Sequence, residues 1–128
     1  MEANELMIGD WVRTNLGHII QVESITEDEI NLEWNGNESY GGINIKEVES
    51  IPLTPEILEK IGFETRPNIG YIIDDWDGTQ IIYGSWDHNL RIIKNYKTCL
   101  DIETFDDIAV HELQHALRLC EIEKEIEL

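Results

Sequence analysis

The stretch IPLTPEILEKIGFE, residues 51–64, decides how the chain is read, because it is where a β-rich pattern first gives way to a helical one. Thr54 offers a hydroxyl acceptor to the free amides of a helix start, Pro55 suits the first helical position, and Glu56 sits at the positive end of the helix dipole. Ile57, Leu58 and Ile61 then form one apolar face, and Gly62 is a stop signal. This predicts a short helix over about residues 54–61. With β-type sequence on both sides of it, the fold class is α+β rather than all-β.

Toward the N-terminus, GDWVRT (9–14), HIIQVESI (18–25) and EINLEW (29–34) are short runs rich in Val, Ile and Trp, separated by NLG and TEDE. WNGNESYGG (34–42) follows, with Asn35-Gly36 as a turn signal. These predict a small twisted antiparallel sheet ending near Ile51. Toward the C-terminus, IGYIIDD (69–75), TQIIYGSW (79–86) and LRIIKNY (90–96) are joined by WDG and DHN turns and predict a three-stranded meander. A second helix is expected from about Thr104 or Asp106 to Cys120, capped by Thr104, Asp106 or Asp107 and packed on the sheet. Its apolar face is Ala109, Val110, Leu113, Ala116, Leu117 and Cys120, with Ile108 and Leu119 flanking His115 on the other side. The tail EIEKEIEL (121–128) fits either a short edge strand or a frayed helix end. The expected organisation is a single domain over 1–128: a β-rich subdomain over 1–52, then helix, meander and helix over 53–128.

The 128 residues suffice for one compact core, and a hydrophobic fraction of 41% is that of an ordinary globular chain. No apolar run approaches the roughly 20 residues that span a bilayer, and the start MEANELMIGDW has neither a basic nor an apolar leader region, so a cytoplasmic protein is expected. The 27 acidic and 9 basic residues leave a net charge of −18, which repels nucleic acid and anionic membranes. Direct nucleic-acid binding and membrane association are therefore not expected. Cys99 and Cys120 are too few for a disulfide framework and are read as reduced core residues.

Three segments, ANELMIGDWV, IPLTPEILEKIGFE and VHELQHALRLC, together resemble a family of small proteins, of no established activity, encoded by phages and prophages of gut bacteria. The likeness runs over nearly the whole chain; Met7 stands where Arg is usual in the family and Asp10 where Asn is usual. The resemblance implies a setting, a phage-type protein in the cytoplasm of a bacterial host, and carries over no activity.

His111-Glu112-Leu113-Gln114-His115 spells the H-E-x-x-H signature, in which two histidines one helical turn apart hold zinc and the Glu activates water. Here the downstream continuation is missing: Arg118 and Glu121 occupy the places of the Gly and His of one zinc-protease class. His88, Cys99 and Asp87 are conceivable third ligands, and nothing in the spacing selects one. The resembling family often has Gln at the position of Glu112 and Asn at that of His115. A packing helix is the expectation, with no catalytic residue, no metal and no cofactor, and a zinc metallohydrolase as a minor alternative. Asp74, Asp75 and Asp77 before Gly78 lack the ligand spacing of a calcium loop and are read as a hairpin turn. No nucleophile constellation or phosphate loop is present, so a non-enzyme is expected.

The aromatic residues Trp34, Tyr40, Tyr71, Trp76, Tyr83, Trp86 and Tyr96 lie on or beside the expected strands. Trp76 and Trp86, flanked by polar turn residues, fit a core least well. With Tyr83, His88 and Arg91 they form the expected ligand-binding set, a stacking platform for a small nucleotide-like ligand. The preferred functional expectation is a phage-type binding protein that counters host defence by sequestering a nucleotide-derived immune signal. An acidic inhibitor of a host defence protein, or a nucleic-acid mimic, is the second. The sequence leaves homo-oligomerisation open.

Overall fold

A computed structural model describes residues 6–15, 17–25, 29–34, 38–44, 47–74, 78–84, 89–103, 108–124 and 126–128, with the backbone alone for 29–34, 38–44 and 103. The fold is α+β, and the described residues form two antiparallel five-stranded sheets and two helices. The chain forms two compact units, one of Met1–Pro52 with Ala109–His115, the other of Leu53–Ile108 with Ala116–Leu128.

In the first unit, β1 (Trp11–Thr14), β2 (Ile19–Ile25), β3 (Glu29–Trp34), β4 (Glu38–Asn44) and β5 (Val48–Glu49) lie in the order β4-β3-β2-β1-β5. Alternation does the sorting: Val12 and Thr14 of β1 and Ile20 and Val22 of β2 are buried, while their neighbours are partly or fully exposed. Gly17, at φ +86°, closes the β1–β2 hairpin, its N–H bonded to the Thr14 carbonyl at 2.9 Å. Leu6, Val48, Ile51, Ala109, Val110 and Leu113 are also buried in this unit.

The second unit opens with α1 (Pro55–Ile61), built as its sequence predicts. Thr54 Oγ1 accepts from Ile57 N at 3.3 Å, and Gly62, at φ +119°, ends the helix by donating to the carbonyls of Leu58 and Glu59. The meander is larger than the three strands expected. It runs β6 (Glu64–Arg66), β7 (Gly70–Asp74), β8 (Gln80–Tyr83), β9 (Asn89–Lys94) and β10 (Lys97–Glu103), each paired with its neighbour. β6 is only three residues long, and β10 follows a tight Asn95-Tyr96 turn with φ +54° and +62°, a left-handed pair that lacks the usual Gly. Leu58, Ile61, Phe63, Ile73, Ile81, Tyr83, Leu90, Ile92, Leu117 and Cys120 are buried in this unit.

The second helix, α2 (Val110–Leu119), starts later than expected. Thr104, Asp106 and Asp107, the expected caps, lie outside the described residues. Glu112 Oε1 instead accepts from Ala109 N at 3.0 Å, the half of a capping box in which the third helical residue reaches back. At the other end Glu121 takes the left-handed conformation, φ +56°, and Ile122 N bonds to the Leu117 carbonyl at 2.9 Å. Lys94 Nζ donates to the carbonyls of Cys120 and Glu121 at 3.2 and 3.1 Å, placing a cation at the negative end of the helix.

Three expectations are corrected. Residues 109–115 group with the first unit. The described part of the tail is neither strand nor helix, yet Ile126 is buried. Cys99 is exposed, as is Leu119: Lys97, Thr98, Asp101 and Ile102 of the same strand are exposed too, and so is Arg118 beside Leu119.

Candidate functional site

The H-E-x-x-H segment is occupied by structural bonds within the first unit. Asp10, in the turn that leads into β1, is fully buried and accepts from Met7 N at 2.7 Å. His115 Nε2 lies 2.6 Å from the same carboxylate oxygen, close enough for a charge-assisted hydrogen bond, with the imidazole N–H donating to the carboxylate. Gln114 is buried and serves two backbone groups: its carbonyl oxygen accepts from Trp11 N at 2.9 Å and its amide donates to the Gly9 carbonyl at 2.9 Å. The His111 ring is buried edge-on to that of His115, with centroids 5.6 Å apart. The start of α2 is thus latched to residues 9–11 through the side chains of Gln114 and His115.

These bonds change what the motif does. The carboxylate of Glu112 is engaged as a helix cap, and the Nε2 of His115 faces Asp10. Among the described residues no three His, Cys, Asp or Glu side chains are grouped to hold a metal ion. Asp10 is the partner that sequence reasoning missed. Its signal was its place in the turn before a strand, and only the long-range contact shows its use.

The expected ligand platform is only partly describable. Trp76, Trp86 and His88 lie outside the described residues, as do Asp75, Asp77 and Asp87. Tyr83 and Arg91 are not brought together: Tyr83 pairs with Leu90 on the buried face, whereas Arg91 pairs with Ile82 on the opposite one. A shift of one residue along a strand reverses the face, so neighbours in an expected hairpin become residues on opposite sides of a sheet. Arg91 also carries a partner, Asp101 across β10, with Nη2 3.3 Å from Oδ2.

A cleft of about 550 Å³ lies elsewhere in the second unit. Ile72 and Ile73 give it an apolar wall, and Glu64, Arg66, Asp74 and Lys124 bring two charges of each sign. Arg66 reaches Glu64 at 3.7 Å and Asp74 at 3.5 Å, so its guanidinium is already shared between carboxylates.

The remaining candidate is the carboxylate surface itself. Of the acidic side chains that are described, every one except Asp10 is exposed, from Glu23 through Glu127. Arg13, Arg66 and Arg91 each face a carboxylate, Arg13 at 3.0 Å from Glu49. Such exposed pairs add only about 0–1 kcal/mol each to stability, but they remove positive charge from what a partner meets. No helix among the described residues is long and apolar enough to cross a membrane.

No protein-family model, curated protein or solved structure matches the chain.

Proposed function

We propose that this chain is a non-enzymatic binding protein whose carboxylate surface engages a basic surface of a partner protein, in the phage-type bacterial setting that its resemblance implies. The observation that carries the reading is the exposure of every described carboxylate but Asp10, together with the neutralisation of three arginines by carboxylates, in a chain of net charge −18. A field of that sign steers a cationic surface to the protein and competes with nucleic acid for it. The engaged groups of the H-E-x-x-H segment support a structural use of that helix over hydrolysis. The test is displacement. A basic histone-like DNA-binding protein is loaded on fluorescent duplex DNA at about 50 mM salt, where phosphate contacts are strong. Added chain is expected to release the DNA, with the effect fading toward about 200 mM salt. Unchanged anisotropy at a large excess of chain in low salt would reject the reading.

A second reading, sequestration of a nucleotide-like signal, is favoured by the cleft. Arg66 and Lys124 beside an isoleucine wall suit a ligand with an apolar ring and a polar edge. Its balanced charge, and the separation of Tyr83 from Arg91, rank it below the first. Thermal shift against cyclic nucleotides and ADP-ribose tests it, since a ligand at a hundredfold excess over its Kd stabilises by about 2.7 kcal/mol. No shift at high ligand ends it.

A further inference from the structure

Neither functional reading uses the two cysteines of the second unit, and these meet in the fold. Cys99 lies on β10 where the pairing with β9 slips between Thr98 and Leu100, so it is the extra residue of a bulge, outside the regular ladder. Its side chain reaches water. Cys120 is buried at the end of α2, in the turn whose carbonyls are held by Lys94 Nζ. Lys94 belongs to β9, the strand paired with β10, so its bonds to the end of α2 bring Cys120 beside the strand that carries Cys99, and the two thiols interact. An accessible sulfur on a bulge thus lies near a buried one whose backbone is pinned in place.

We propose that Cys99 and Cys120 form a reactive dithiol that closes to an intramolecular disulfide under a two-electron oxidant of the hydroperoxide class. Cys99, the exposed sulfur, attacks one peroxide oxygen; the O–O bond breaks, Cys99 becomes a sulfenic acid, and the other oxygen takes the thiol proton and leaves as an alcohol, or as water from hydrogen peroxide. The Cys120 sulfur then attacks the Cys99 sulfur, the S–S bond forms, the S–O bond breaks, and the Cys120 proton leaves with the hydroxyl as water. Two thiols lose two electrons and the peroxide gains them.

The surroundings assign these roles. Burial, then the hydrogen bond and charge interaction with Cys99, push the Cys120 thiol up to about 12, so it waits as the protonated partner. The positive charge of Lys94 favours the Cys120 thiolate that the resolving step uses.

The test uses the whole reduced protein treated with hydrogen peroxide. The expected product is a monomer lighter by two hydrogens, with neither thiol open to iodoacetamide after unfolding, a proteolytic peptide linking residues 99 and 120, and recovery in dithiothreitol. Its melting temperature is expected to exceed that of the reduced form, because the bond closes a loop of roughly 20 residues in the unfolded chain. Cys99→Ser, a change at an exposed position, is expected to abolish the bond and the shift. Oxidation of Cys99 to sulfinic acid with Cys120 still open to alkylation, or Cys99-linked dimers, overturns the proposal.

Discussion

At the scale of single residues, His115 and Asp10 show how a polar contact between distant parts of the sequence sets a local structure. Asp10 is out of water, so its carboxylate depends on the protein for hydrogen bonds, and the imidazole supplies one at 2.6 Å. His115→Ala is expected to destabilise the protein by about 1–3 kcal/mol, the range for leaving a buried acceptor short of a partner, as read from urea unfolding. A change within 0.5 kcal/mol would mean the contact is energetically idle. Cys120 makes a second residue-scale prediction. Its thiol is raised from 9.0 to about 12 in the folded state, so between these values the folded chain holds a proton that the unfolded chain has lost. That difference favours unfolding as pH rises: the stabilising contribution is complete below about pH 9 and declines up to about pH 12, by at most about 1.4 kcal/mol per pH unit. Relative to Cys120→Ala, the wild-type chain is expected to lose stability more steeply with alkaline pH in thermal melts; parallel curves would contradict this.

Among the elements, α2 separates two uses of one motif. If Glu112 is a helix cap, its role needs only an acceptor oxygen, which Gln also has. Glu112→Gln is expected to stay within about 0.5 kcal/mol of the wild type, while Glu112→Ala costs about 1 kcal/mol, the usual loss of a capping interaction. Equal losses for both would show that the charge matters beyond the cap. The elements also divide by how readable they were. In α1, cap, proline, apolar face and glycine stop all lie within 54–62 and act through neighbours in sequence, so the helix was legible to the residue. β10 was not, because its turn is made by Asn95 and Tyr96, residues that enter the left-handed region without the glycine that usually signals it. The start of α2 was placed too early for a related reason: several capping residues precede it, and the acceptor that acts on Ala109 comes from inside the helix.

At the scale of the whole molecule, the net charge of −18 acts on stability as well as on partners. Like charges on a compact chain repel, and salt screens them over a Debye length of about 8–10 Å at physiological ionic strength. Raising sodium chloride from about 10 to about 500 mM is therefore expected to increase the melting temperature, an effect that screening of a few exposed ion pairs is too weak to reverse. A fall in melting temperature with salt would show that attractive pairs dominate. The candidate residues illustrate what crosses from sequence to structure. Sequence alone determined the α+β class, α1, the first three strands of the first sheet and the acidic charge, because these rest on composition, periodicity and bonds between near neighbours. Tertiary structure decided the rest: that Tyr83 and Arg91 face opposite ways, that residues 109–115 join the first unit, that Asp10 holds His115, and that the end of α2 with Cys120 is held beside the strands that carry Lys94 and Cys99. Each of these depends on strand register or on contacts between residues far apart in the chain, for which local pattern holds no signal.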